Sequence, residues 1–325
     1  MSSKLYTTSP PVIDPRSIKE HLRINYGIEG KLTFFPSDRD QIISIKAYRK
    51  QYILKVYNYY EDLYNVEMQI LALNHIRDSG FPFEVPIPIQ GPQTIKHMNQ
   101  KYISCLFSFI DGNLLHDLNG GDIDIRKVGL LLGNLSHSLS DFNHEGRLGN
   151  FPWDIQNIEF IKKKLNHIKD RDSVFILKDF IGKYETNVLP VINKIRKSII
   201  HNDGNKNNIV LDTSGQIKGI IDFGDMTKSL TVCEPAVCIS YIIQNSKKYS
   251  IDVEQFLEGY LSVYNLNKYE LRCIPYLVCL RLSISVTMAA WRKKLFPKNK
   301  YLTISEKPAW SLIHLLKKVD LENWI

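Results

Sequence analysis

Between residues 199 and 225 the chain reads "IIHNDGNKNNIVLDTSGQIKGIIDFGD", a polar loop between apolar runs followed by a short hairpin pattern. The apolar runs predict strands, and Thr213-Ser214-Gly215 predicts the turn joining two of them. The loop carries His201, Asp203 and Asn208 in the order H-x-D-x-x-x-x-N, and the last strand ends in Asp222-Phe223-Gly224. A polar turn before a hairpin requires no such order, but phosphoryl transfer does. Its transition state spreads negative charge over the phosphoryl oxygens, so Mg²⁺ is needed to neutralise it. Mg²⁺ takes oxygen ligands, typically one or two from protein and the rest from phosphates and water. Asn208 and Asp222 supply two such oxygens. Asp203 is placed to orient a hydroxyl nucleophile and take its proton, and His201 to brace the loop by hydrogen bonding.

The rest of the chain divides around this stretch. "IDPRSIKEHLRINYGI" predicts a helix capped by Asp14, with Pro15 at its first position and Gly27 as its stop. "KLTFF" (31–35), "QIISIKAY" (41–48) and "QYILKVYN" (51–58) predict strands, the last two joined as a hairpin by Arg49-Lys50. "EDLYNVEMQILALNHIRDSG" (61–80) has helical spacing, and "YISCLFSFIDG" (102–112) returns to strand. Beyond residue 112 the pattern is mainly helical apart from 199–223. The expected fold is α+β and bilobal, a small β-rich lobe over residues 1–107 and a larger helical lobe over 108–325.

H-x-D-x-x-x-x-N followed by D-F-G resembles the catalytic signature of the protein-kinase-like superfamily. The segments "FPSDRDQ" (35–41), "YILKVYN" (52–58), "FSFIDG" (107–112), "FPWDIQNI" (151–158), "IDFGDM" (221–226) and "NKYLTISEKPAW" (299–310) resemble its small-molecule branch, the aminoglycoside phosphotransferase and choline kinase group. Within that branch they are most similar to the hydroxylysine kinase-like phosphotransferases. The resemblance implies a protein-kinase-like fold with ATP or GTP held as phosphate donor by the N-terminal lobe.

On that reading Lys55, mid-strand among apolar residues, grips the α- and β-phosphates, since a buried lysine demands a partner. Glu67 on the following helix is expected to fix it by an ion pair. No G-x-G-x-x-G joins the first two strands. "PSDRD" (36–40) stands there instead, with Ser37 and backbone N–H groups as candidate phosphate contacts and Arg39 as added charge. The family's pattern places Asn after Gln41, where this chain has Ile42. The hinge "CLFSFIDG" would read the base through backbone groups near Ser108 and Ile110.

The segment after Asp222 is short, and Asn202 replaces the arginine of H-R-D. Both features point away from a polypeptide acceptor. Asp225 and Glu234 are candidates for binding a substrate ammonium group. Arg281, within an apolar helical run, pairs with an internal acid or binds a substrate carboxylate. The acceptor implied is a small amine-containing alcohol, hydroxylysine-like first. The alternatives are an aminoglycoside, choline or homoserine, or a catalytically silent nucleotide-binding regulator on the same fold.

Composition narrows the setting. The 42 Lys and Arg and 34 Asp and Glu give a net charge of +8, but the two signs are mixed along the chain, which argues against a nucleic-acid partner. Five cysteines without a C-x-x-C pair argue against a disulfide framework and for a reducing compartment. The run from Cys273 to Trp291 contains Pro275 and Arg281, which suits a buried helix better than a membrane span. With no apolar signal region near the N-terminus, a cytoplasmic, non-membrane protein is expected.

Overall fold

The computed structural model describes residues 2–118, 123–146, 151–303 and 306–324. Ile304 and Ser305 of the 299–310 segment lie outside the described residues. A short α1 (Ser2–Leu5) precedes α2 (Pro15–Tyr26). The ends of α2 follow from its sequence. Asp14 accepts from the N–H groups of Arg16 and Ser17, and Gly27, at φ 64, donates to the Arg23 carbonyl while Ile28 donates to that of Leu22. That left-handed closure suits glycine because it has no Cβ.

A five-stranded antiparallel sheet follows. It comprises β1 (Lys31–Phe35), β2 (Gln41–Ala47), β3 (Lys50–Val56), β4 (Gln93–His97) and β5 (Gln100–Ser108), in the order β1-β2-β3-β5-β4. α3 (Leu63–Asp78) lies between β3 and β4 in sequence. Side chains alternate faces along a strand. Ile43, Ile45, Leu54, Val56 and Leu106 therefore pack with Ile18 and Leu22 of α2 in one small core. Lys55 sits between Leu54 and Val56 and so projects from the other face, opposite Cys105 of β5. The sequence pattern did not predict β4. It buries only Ile95 among polar residues at the sheet's edge, so it carries little apolar signal.

Beyond Ser108 the chain is mainly helical, with two small β-ribbons. β6 (Asn113–Leu114), β8 (Ile209–Leu211) and β9 (Ile217–Ile220) form one, and β7 (Lys197–Ile200) with β10 (Thr227–Leu230) the other. Ile209 pairs with Ile220, and Ile200 with Thr227. Loop 201–208 thus leaves β7 and enters β8, while segment 221–226 leaves β9 and enters β10, and the two registers hold these loops side by side. β10 went unpredicted because "TKSL" has no strong strand propensity.

The helices are α4 (Ile125–Ser138), α5 (Ile158–Lys164), α6 (Arg171–Asn187), α7 (Cys233–Ile242), α8 (Tyr249–Leu261), α9 (Lys268–Leu295) and α10 (Glu306–Leu316). α4 and α8 approach so closely that a Cβ on Gly129 would lie 2.0 Å from the Phe256 carbonyl oxygen. α9 is the spine. It starts in a capping box between Asn267 and Glu270 and contacts α5, α6, α7 and α10. By length and composition it would suffice to cross a membrane, yet its most apolar window is 94% buried inside the protein. It is a core helix, as Pro275 and Arg281 suggested.

Candidate active site

The loop after β7 is held largely by its own polar groups. His201 is fully buried, and its Nδ1 accepts from the Asp203 main-chain N–H at 3.2 Å. That bond fixes the tautomer, leaving Nε2–H to donate to the Ile221 carbonyl at 3.1 Å. Burial drives the imidazole down to about 4, so it stays neutral. The ring also meets Phe223 edge-on at 4.7 Å. His201 therefore ties the loop to the Asp222 segment, the brace expected of it. Asn202 carries a φ of 64, uncommon for a residue with a side chain, and its amide bonds the carbonyls of Trp153 and Asp225.

Asp203 is gripped at both oxygens. Asn208 Nδ2 donates to Oδ2 at 2.8 Å and to the Asp203 carbonyl at 2.9 Å. Arg281 Nη2 donates to Oδ1 at 3.2 Å. Burial raises the carboxyl to about 7, with Asp225 and Asp222 adding repulsion and Arg281 opposing them. Asp222 differs. The Lys55 ammonium beside it holds it down to about 2. Its side chain is 54% exposed and its backbone is left-handed at φ 62. Such a conformation is costly for a residue other than glycine and clusters at functional sites.

Lys55 lies beside Asp222, but its partner is not the expected one. Its ammonium contacts Asp40 at 3.2 Å and Asp222 at 3.3 Å, and no contact with Glu67 is formed among the described residues. Glu67 sits half-buried within α3. Asp40 enters from the loop joining β1 to β2. It is 3% exposed, and its Oδ1 also accepts from the Asn58 N–H. Lys55 thus finds a carboxylate fixed on its own sheet.

Two acceptor candidates also need correction. Glu234 is 1% exposed, and its Oε2 accepts from the main-chain N–H groups of His201 at 2.5 Å and Asn202 at 3.3 Å. Burial lifts it to about 7 even so. It stands beneath the loop as a backbone anchor and presents no face to an incoming ammonium group. Arg281, 1% exposed, bonds Asp203, the Trp153 carbonyl and the Tyr241 hydroxyl, and lies over the Trp153 ring at 4.7 Å. Its partner is an internal acid, and that acid is Asp203. Asp225 is at the site, but Arg39 meets its carboxylate at 2.6 Å.

The remaining candidates are less engaged. Ser37 accepts from the Asp40 N–H within its own loop at 3.4 Å. Ser108 donates its N–H to the Ile87 carbonyl, and its hydroxyl accepts from the Ile87 N–H. Its N–H is therefore not available to read a base. Ile110 is buried just past β5, where the sheet gives way to the second part of the chain.

Asn208 and Asp222 suit a small hard cation. The amide nitrogen of Asn208 is taken by Asp203, which leaves its oxygen for a metal, and Asp222 is exposed and held ionised. Two hard oxygens with phosphates completing the shell are the usual Mg²⁺ arrangement.

The sequence profile of the phosphotransferase enzyme family matches residues 31–272. Hydroxylysine kinase of Mus musculus is 27% identical over 322 residues, covering 90% of this chain and 85% of that protein. Among solved structures, a microcompartment-associated aminopropanol kinase superposes with a TM-score of 0.71 at 16% identity, over 93% of this chain and 97% of that one. An amicoumacin kinase in complex with AMP-PNP and Ca²⁺ superposes with a TM-score of 0.72 at 13% identity, over 96% and 98%.

Proposed function

The chain belongs to the phosphotransferase enzyme family, and from that premise we propose that it transfers the γ-phosphate of ATP or GTP to a hydroxyl of a small amine-bearing acceptor, hydroxylysine-like amino acids first. The observation that carries this reading is the division of labour between two carboxylates at one site. Asp203 is held at both oxygens by Asn208 and Arg281, as a base kept in one orientation would be, whereas Asp222 is exposed beside Lys55, as an anionic ligand would be.

Each residue then has a task. Asp203, oriented by Asn208 and Arg281, accepts the proton of the acceptor hydroxyl at Oδ1 or Oδ2. Asn208 and Asp222 would hold Mg²⁺ through their side-chain oxygens. When bound, Mg²⁺ supplies positive charge for the transferring phosphoryl group. Lys55 faces the phosphates, steadied by Asp40. Asp225, paired with Arg39, is the candidate acid for the acceptor's ammonium group. Two relatives, a hydroxylysine kinase and an aminopropanol kinase, are named for acceptors that carry both an amine and a hydroxyl, and this supports the choice of acceptor.

The test is nucleotide consumption with Mg²⁺ and either ATP or GTP, across 5-hydroxylysine, 1-amino-2-propanol, choline, homoserine, kanamycin and the neutral polyols glycerol and sorbitol. The reading predicts the highest kcat/KM for an amine-bearing alcohol, weakened by Asp225→Asn. A neutral polyol as best acceptor, or consumption independent of any acceptor, contradicts it.

A further inference from the structure

Residues 38, 39 and 40 are all charged, and each is bound to a different part of the molecule. Asp38 Oδ2 meets Arg292 Nη1 of α9 at 2.6 Å, and its carbonyl accepts from Arg292 Nη2 at 2.7 Å. Arg39 pairs with Asp225 and donates from Nη2 to the Gly224 carbonyl at 3.0 Å. Asp40 holds Lys55. A loop of the N-terminal sheet is thus fastened twice to the helical part of the chain, once from each direction of charge.

One residue joins the two fastenings. Tyr6, fully buried in the N-terminal segment, accepts from Arg39 Nη1 at 2.9 Å through its hydroxyl. The Arg39 and Arg292 guanidinium groups both lie 5.8 Å from the centroid of its ring. Two cations sharing one aromatic ring would repel each other. Here each is also neutralised, Arg39 by Asp225 and Arg292 by Asp38, so the ring can serve both. The segment is itself tied down: Asn58 donates to the Ser9 carbonyl, and the Gln41 side chain bonds both the N–H and the carbonyl of Ile13.

We propose that Tyr6 is a positioning residue, the pin of a clasp that holds loop 36–40 against the Gly224-Asp225 segment and thereby keeps Asp40 on Lys55. Its effect on the nucleotide side of the site runs through Asp40, which holds Lys55. This rests on the phosphotransferase reading for its kinetic consequence, but the mechanical link does not.

The experiment uses the full chain with Tyr6→Leu, which removes ring and hydroxyl, and Tyr6→Phe, which removes the hydroxyl alone. Amide hydrogen exchange without ligands reads the clasp directly. Tyr6→Leu is expected to speed exchange in residues 36–41 and 222–226 by about tenfold, the scale of a lost desolvated cation–π contact. Tyr6→Phe should fall between it and the parent. In turnover, Tyr6→Leu should raise the nucleotide KM about tenfold while leaving kcat at saturation within about threefold. If Tyr6→Leu does not fold, Arg292→Lys, which cannot reproduce the paired bonds to Asp38, takes its place with the same expectations. Unchanged exchange in both segments, or a kcat loss with an unchanged nucleotide KM, would overturn the proposal. If no acceptor is phosphorylated by the parent protein, the phosphotransferase reading fails, and the exchange data still decide the clasp.

Discussion

Two loops meet at this site, and they are held in place by different physics. Loop 201–208 is fixed mostly from within. His201 bonds the N–H of Asp203, Asn208 bonds its carbonyl and carboxylate, and Glu234 anchors two consecutive amides from below. Loop 36–40 makes few such bonds. It is fixed by ion pairs to Lys55, Asp225 and Arg292, the last two far along the chain. Short hydrogen bonds to backbone survive the arrival of an anionic ligand, whereas ion pairs to site residues must share or exchange their charge with it. On the proposed reading, the first loop keeps a base in one geometry and the second is able to respond to phosphate.

The comparison can be broken in several ways, from the largest effect down. Asp222→Ala should abolish the Mg²⁺-dependent part of nucleotide affinity. Outer groups that merely support a metal ligand already cost about 10–100-fold, so a calorimetric loss of less than about tenfold would place the metal elsewhere.

Glu234→Ala should destabilise the fold by about 2 kcal/mol or more, because it strands two buried N–H donors. Glu234→Gln keeps an acceptor for both and should cost under about 1 kcal/mol. Equal denaturation midpoints for the two variants would show that Glu234 is not an anchor.

Arg281→Gln should move the acid limb of kcat/KM. The base works ionised, so activity falls as pH drops below about 7. Removing the cation that opposes the rise pushes the limb to higher pH, by about one unit. A limb that stays put or moves down would separate Arg281 from the base. Stability runs the opposite way. Asp203 binds its proton more tightly folded than unfolded, so its contribution is present at acid pH and is lost as pH rises from about 4 to about 7.

The smallest contrast sharpens the pairing of Lys55. Asp40→Asn should raise the nucleotide KM about tenfold, since it breaks a buried pair. Glu67→Gln should change it by less than about twofold, as expected of an acid that holds no partner.

Much of the first loop was legible in the sequence and little of the second. H-x-D-x-x-x-x-N and D-F-G are local patterns whose members act on one another across a few residues, so order along the chain becomes geometry. The α2 caps and the alternation that turns Lys55 toward the site are local in the same sense. Arg39 and Asp225 stand 186 positions apart, and nothing local couples them. Asp40 lies only 15 positions before Lys55, but it sits in an irregular loop that no periodicity reads, and the family pattern suggested Glu67 instead. Glu234 looked like a free acid beyond the metal segment because a carboxylate bonded to distant backbone leaves no periodic trace. β4 and β10 were missed for lack of apolar alternation.

The central claim is that Asp203 is the base of a small-molecule phosphotransferase. It is tested most directly by following phosphorus-31 signals of Mg²⁺-ATP with 5-hydroxylysine, for the parent protein and for Asp203→Asn. The account predicts a phosphate ester of the acceptor with the parent protein. With the variant it predicts a rate lower by about two orders of magnitude or more, at nearly unchanged nucleotide affinity. Near-equal rates for the two proteins would contradict it.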